Sequence, residues 1–181
     1  QIAARAGVAE GSIYVHFKSK QEILFHFISD RALPPLKEIF SGKPGRSDRE
    51  IIRDFIHDRF FIWLELRNLI KVVLGEALFH ANLRKALKKN LLSVMAKKIE
   101  TFISQRQKEG AFKHLNPAIS ARALLGMITS FFFVWGFMTE EFPVDFSPEH
   151  VGTVLTDLFL NGISIEKEPP SRTKKAGRTI S

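Results

Sequence analysis

The chain has 181 residues, of which 45% are hydrophobic and 25% are charged. These values are typical of a soluble globular protein with one core and room for a small additional domain. It contains no cysteine, which excludes disulfide bonds, thiolate zinc sites and cysteine nucleophiles and suits a reducing cytoplasm. Lys and Arg total 27 against 19 Asp and Glu, and the net charge of +8 favours a polyanionic partner.

Residues 1–24 follow the pattern of a helix-turn-helix whose second helix is followed by the start of a third. Ala3 provides the small residue where the two helices touch, and Gly7 provides the tolerant position in the turn. Apolar residues face inward from both helices: Ile2, Val8, Ile13 and Phe17. The outer face of the second helix is then free to enter a major groove of double-stranded DNA.

The predicted DNA contacts lie on that outer face and at the start of the next helix. Tyr14 is the one tyrosine in a chain with 17 phenylalanines, which suggests that its hydroxyl binds a phosphate oxygen. Lys20 is at the amino end of the next helix, where N–H groups attract phosphate. The residues predicted to contact base edges are Glu10, Gly11, Ser12, Val15 and His16. The alternative for Ser12 and His16 is that they touch only phosphate.

The same stretch resembles the signature of the tetracycline-repressor (TetR) family of bacterial regulators. The matching residues are Gly7-Val8, Gly11-Ser12-Ile13-Tyr14, His16-Phe17-Lys18-Ser19-Lys20 and Glu22-Ile23-Leu24. The resemblance implies an all-α fold, with an N-terminal helix-turn-helix head on a C-terminal helical ligand-binding and dimerisation domain. It implies a homodimer, commonly a repressor, that leaves DNA when a small molecule binds, and it assigns Tyr14 and Lys20 to the DNA backbone.

Two features depart from that family pattern. Ala9 stands where the family usually has a Ser or Thr N-cap, and the loss of such a cap costs about 1 kcal/mol. The chain also begins inside the helix that precedes the turn, so we expect it to lack the first helix of the DNA-binding domain. A protein starting at Gln1 is therefore expected to bind DNA poorly.

The head is predicted to span residues 1–42. Ser19 and Glu22 form a capping-box pattern that opens its last helix, and Pro34-Pro35 must interrupt or kink that helix. The two prolines are either simple punctuation or a bend where the head joins the body.

The body is predicted to span residues 43–165 and to contain helices over 48–67, 69–80, 82–110 and 117–138, with a last helix after Ser147. Gly110 is a suitable residue to end the third of these, and Asn116-Pro117 and Ser147-Pro148 are N-cap pairs. Residues 166–181 form a basic tail that we expect to be disordered.

The helix over 117–138 is apolar nearly all round in its second half, so it must be covered on both sides. The TetR resemblance implies that the last two helices pair with their copies in a second subunit. The predicted dimer residues are Phe132, Phe133, Phe137, Val151, Val154, Leu155, Leu158 and Phe159. Such a dimer would hold its recognition helices about 34 Å apart and would bind a palindromic operator.

An effector pocket is predicted in the apolar interior of the body. Its predicted lining residues are Phe60, Trp63, Met127, Phe131 and Trp135. The many phenylalanines favour a small hydrophobic effector, and His57, Arg59, His80 or Arg122 are candidate partners for a carboxylate or phosphate on it. The alternative is that these apolar residues simply fill the core.

Nothing in the sequence indicates catalysis, a cofactor or a metal site. The six histidines are scattered, and there is no zinc-protease motif and no glycine-rich phosphate loop. The most apolar window, 123–138, is shorter than a membrane span requires. We therefore predict a cytoplasmic, ligand-responsive DNA-binding regulator that is not an enzyme. The alternative is a helical lipid- or small-molecule-binding protein without a DNA role.

Overall fold

A computed structural model describes residue 17 and residues 19–41, 45–134 and 147–165. Within these ranges the protein is all-helical, and its one β feature is an isolated antiparallel bridge between Phe112 and Ser164. The predicted all-α fold is confirmed. The predicted DNA contacts at 10–16, together with Trp135, Phe137 and the tail over 166–181, lie outside the described residues.

The first two helices are α1 (Lys20–Ala32) and α2 (Pro34–Ile39). The Ser19 hydroxyl accepts a hydrogen bond from the Glu22 backbone N–H at 3.2 Å, which caps the start of α1. The break between the helices falls at Leu33, directly before Pro34-Pro35. The predicted interruption is confirmed, because a proline ring cannot continue the hydrogen-bond ladder of α1.

The central helix is α3 (Asp48–Phe79), which is 32 residues long. Its start is a complete capping box: the Ser47 hydroxyl accepts from the Glu50 N–H at 3.2 Å, and the Glu50 carboxylate accepts from the Ser47 N–H at 2.7 Å. The sequence predicted two helices here, over 48–67 and 69–80, and this division is wrong. No Gly or Pro separates them, and buried Leu66, Val73 and Ala77 continue one stripe across the expected break.

The chain then forms α4 (Ala81–Ala86), a π-helical segment (Leu87–Leu92) and α5 (Ser93–Lys108) without leaving helical geometry. This run replaces the single helix predicted over 82–110. Gly110 has φ +72° and ends the run, as predicted. The Ala111 N–H reaches back to the Arg106 carbonyl at 2.9 Å, which satisfies one of the last carbonyls of α5.

The last two described helices are α6 (Pro117–Phe133) and α7 (Pro148–Ile163). Both predicted caps are confirmed: Asn116 accepts from the N–H groups of Ala118 and Ile119, and Ser147 accepts from that of His150. α6 packs against α5, and α7 packs along α3. The core between them contains Ile52, Phe55, Ile99, Ile103, Phe112, Leu124 and Ile128. Among the helices of the described ranges, none is both long and apolar enough to cross a membrane.

Candidate ligand cavity

A cavity of about 900 Å³ lies among α1, α3, the π-helical segment and α6, with single residues of α4 and α5 completing its lining. Its walls are predominantly apolar. Ile28 and Ala32 come from α1, Trp63 from α3, Leu91 from the π-helical segment and Phe132 from α6. A cavity of this size and character is large enough for a drug-sized or lipid-like molecule.

The cavity is not closed on all sides. Leu78 and Phe133 line it and are 73% and 62% exposed. Leu74 and Leu92 also line it and are exposed. Apolar side chains therefore continue from the interior of the cavity to the surface, which gives a ligand a route in.

Helix α1 is fastened to α3 beside the cavity. The Arg31 guanidinium pairs with the Glu65 carboxylate at 3.0 Å and lies 5.8 Å from the centre of the Phe61 ring. Ile28 and Ala32, on the buried side of α1, are only 4% and 5% exposed. The orientation of α1 therefore depends on the walls of the cavity as well as on this surface contact.

A buried arginine forms part of the cavity wall. Arg59 of α3 is 7% exposed, and its Nε donates to the Asp58 carboxylate at 3.0 Å. Its Nη1 donates to the Met95 sulfur at 3.3 Å, and the guanidinium lies 5.6 Å from the centre of the Phe55 ring. Burial lowers the pKa of Arg59 below its ordinary value, and the neighbouring Asp58 carboxylate opposes that change.

The structure distributes the predicted pocket residues between the cavity and the core. Trp63 lines the cavity and stacks on Phe132, with ring centres 5.4 Å apart and planes inclined by 7°. Phe60 is 1% exposed and packs edge-on against Phe132 and Phe131, so it supports the cavity wall from behind. Met127 and Phe131 pack on the core without lining the cavity. Phe132 and Phe133, which the sequence assigned to the dimer interface, line it.

The predicted interface residues of α7 divide into two faces. Val151, Leu155 and Phe159 are buried in the core of the single chain, where α7 packs along α3. Val154 and Leu158 are 41% and 61% exposed. This placement corrects the prediction, because residues that face α3 cannot also offer their surface to a second subunit. Of the predicted set on α7, Val154 and Leu158 remain available for a dimer.

The four polar candidates for a ligand headgroup also separate. Arg59 lines the cavity. Arg122 donates to the Ala118 carbonyl, and His80 pairs with Glu76 at 3.1 Å, both away from the cavity lining. His57 faces α7, where its ring lies against Gly152.

Sequence reasoning missed two basic residues that line the cavity, Arg84 and Lys88. The Arg84 guanidinium donates to the carbonyls of Ala77 at 2.9 Å and Leu78 at 3.2 Å, so it caps the end of α3. A basic residue just beyond a helix end is the sequence signal that could have located this contact. Within the described ranges, no three His, Cys, Asp or Glu side chains come together as metal ligands would.

Lys20 is the first residue of α1 and is exposed. Its position at the amino end of a helix suits a phosphate contact, and its role there stays a prediction. Lys20 falls within a segment that is similar to known proteins. Residues 1–27 match the model of the bacterial regulatory proteins of the tetR family. The start of the chain is therefore similar to that family.

No curated protein sequence matches this chain. Solved structures resemble it in fold. A candidate TetR-family transcriptional regulator from Mesorhizobium loti has a TM-score of 0.73 at 16% identity, over 91% of this chain and 85% of that one. The regulator FadR from Bacillus subtilis, in complex with stearoyl-CoA, has a TM-score of 0.68 at 19% identity, over 89% and 86%.

A third solved structure is NalD, the secondary repressor of the MexAB-OprM multidrug efflux pump in Pseudomonas aeruginosa. It has a TM-score of 0.66 at 23% identity, over 90% of this chain and 84% of NalD. At these identities the structural likeness shows the fold alone, and the similarity to the tetR family model is confined to residues 1–27.

Proposed function

We propose that this protein is a cytoplasmic transcriptional regulator that binds a palindromic operator as a homodimer and leaves it when a small hydrophobic effector enters the cavity. One observation carries the proposal: the helix that follows the DNA-binding segment also forms a wall of the cavity. Lys20 begins α1, and Ile28 and Ala32 of the same helix line the cavity.

This arrangement supports a mechanical link between ligand and DNA. Ile28 is eight residues beyond Lys20, a distance of about 12 Å along a helix axis. A helix transmits displacement over that distance as a rigid body, so a ligand that pushes Ile28 and Ala32 outward also moves the end that adjoins the DNA-binding segment. A coupling free energy of about 1–3 kcal/mol would lower DNA affinity roughly 5- to 150-fold.

The nature of the cavity supports a hydrophobic effector. Its walls include the stacked rings of Trp63 and Phe132 and the side chains of Leu87 and Leu91. Two proteins of similar fold point the same way: FadR was solved with stearoyl-CoA, and NalD represses a multidrug efflux pump. The first of these favours a ligand with a large apolar body.

Exposed apolar residues support dimerisation through the last two helices. Val154 and Leu158 project from α7, and Phe133 and Val134 are exposed at the end of α6. We assign these residues to the contact between subunits, and the basic balance of +8 to the attraction for DNA.

The proposal is tested on the complete natural protein with DNA from upstream of its own gene. Binding is followed by fluorescence anisotropy over a range of salt concentrations, with and without dodecanoic acid, 1-dodecanol or a hydrophobic dye. We expect salt-dependent binding to DNA and a weaker affinity when one of these compounds is bound. Ligand binding without any DNA binding would instead support the alternative, a helical ligand-binding protein without a DNA role.

A pair of variants in α1 separates the proposed link from general weakening. Ile28→Ala removes side-chain contact between α1 and the cavity and should reduce the effect of ligand on DNA affinity. Phe27→Ala is the matched control, because Phe27 is on the same helix, is 58% exposed and does not line the cavity. Equal loss of the ligand effect in both variants would contradict the role given to the cavity face of α1.

A further inference from the structure

Arg59 is an unusual residue for the wall of an apolar cavity. Its side chain is 7% exposed, so its charge is largely withdrawn from water. Burying a guanidinium is costly unless its N–H groups and its charge are matched by acceptors. A methionine or leucine at this position would pack among Phe55 and Met95 without that cost.

The donors of Arg59 are unevenly satisfied. Nε and Nη2 both donate to the Asp58 carboxylate, which lies on the neighbouring residue of α3. Among the described residues, the acceptor for Nη1 is the Met95 thioether, at 3.3 Å. Thioether sulfur is a weak acceptor, whereas an arginine presents five N–H groups suited to carboxylate oxygens. Nη1 is therefore the donor that a second anion would satisfy best.

The Arg59 side chain, which carries Nη1, lines the cavity. Arg59 and Met95 both line the cavity, together with Trp63 one turn further along α3. Burial also lowers the pKa of Arg59, because the guanidinium is withdrawn from water, and the Asp58 carboxylate opposes that change.

We propose that the effector is an amphipathic carboxylate, whose apolar body lies against Trp63 and Phe132 and whose carboxylate accepts a hydrogen bond from Arg59 Nη1 in place of the Met95 sulfur. This inference rests on the proposed function, because it names the class of ligand for the same cavity. An ionised carboxylate offers a charge-assisted hydrogen bond in a site that is shielded from water, so a neutral ligand of the same apolar shape binds less tightly.

The test compares octanoic and dodecanoic acids with the matching alcohols. Binding to the complete protein is measured by isothermal titration calorimetry in a mildly alkaline buffer, without DNA. We expect the protein to bind at least one acid about ten- to hundredfold more tightly than its alcohol. Arg59→Met should remove this preference, so that the acid and its alcohol bind with equal affinity.

Two further variants keep the result interpretable. Arg122→Met removes an exposed cation that does not line the cavity and should leave the preference for acids intact. If Arg59→Met does not fold because Asp58 loses its partner, the double variant Asp58→Asn/Arg59→Met replaces it, with the same expected loss of preference. Equal binding of acids and alcohols, binding of neither, or a preference that survives removal of Arg59 would each overturn the inference.

The results of this experiment distinguish failure of the ligand class from failure of the proposed function. A protein that selects acids through Arg59 but keeps its full DNA affinity would refute the regulatory mechanism and uphold the ligand class. A protein that leaves DNA equally well with alcohols and acids would uphold the regulator and refute the ligand class.

Discussion

Gly152 of α7 packs directly against the His57 side chain of α3, and we predict that Gly152→Ala destabilises the protein. A Cβ atom at this position would lie 2.6 Å from Nε2 of the His57 ring and closer still to its Cδ2. Ordinary van der Waals contact lies about 1 Å further away. The ring or the helix would have to move, and His57 Nε2 is already buried without a hydrogen-bond partner among the described residues.

Two opposing contributions set the magnitude of this change. Replacing glycine by alanine within a helix stabilises it by about 1 kcal/mol. Inserting a carbon into an already filled contact costs about 1–3 kcal/mol. We therefore expect the free energy of unfolding to fall by up to about 2 kcal/mol. In a His57→Ala background no ring occupies this space, so Gly152→Ala should raise the free energy of unfolding by about 0.5–1 kcal/mol.

Urea unfolding at one fixed protein concentration measures all four members of this double-mutant cycle. Gly162→Ala is the matched control on the same helix, because nothing lies within 4 Å of its added Cβ, and it should stabilise by about 0.5–1 kcal/mol. If Gly152→Ala has the same effect with and without the His57 ring, the close packing of α7 on α3 at this point is not what limits the residue.

Three other predictions concern separate parts of the molecule. Lys20→Ala should weaken DNA binding on all sequences alike and reduce the slope of log affinity against log salt by about 1, measured by fluorescence anisotropy; an altered sequence preference would contradict a phosphate contact. Hydrogen bonds from the Ser47 backbone and side chain lower the pKa of Glu50 in the folded protein. The ionised carboxylate therefore stabilises the fold at pH values above the pKa of Glu50 in the unfolded chain, and this stabilisation is lost as the pH falls through the lower pKa of the folded protein. Ser47→Ala should therefore raise the pKa of Glu50 toward its ordinary value in an NMR titration, and an unchanged pKa would count against the capping box. Leu158→Asp should shift the protein at least tenfold toward monomer in sedimentation equilibrium, whereas Thr153→Asp, also exposed on α7, should not; a dimer that tolerates both would exclude this face.

The features that the sequence predicted correctly are those decided by a few neighbouring residues. Asn116-Pro117 and Ser147-Pro148 begin helices because one side-chain oxygen can accept from the first free N–H groups. Gly110 ends a helical run because it can adopt positive φ. Leu33 falls between two helices because a Pro-Pro pair follows it.

The features that the sequence could not predict depend on packing between distant parts of the chain. Phe60 and Phe132 are equally apolar, and only the positions of α3 and α6 decide that the first supports the cavity and the second lines it. Likewise, α7 has apolar residues on two faces, and contact with α3 decides that Leu155 is buried and Leu158 is not. Six helical elements line the cavity, so the sequence of any one of them cannot predict its shape.

The π-helical segment Leu87–Leu92 has an evolutionary consequence. A turn closed by i→i+5 hydrogen bonds holds one residue more than an α-helical turn, so it accommodates a single-residue insertion without breaking the helix. The downstream helix then keeps its buried face, with Met95, Ile99 and Ile103 inward. Relatives with a plain α-helix here should therefore be one residue shorter inside the helix, and an alignment that moves this gap into a loop would misassign the residues lining the cavity.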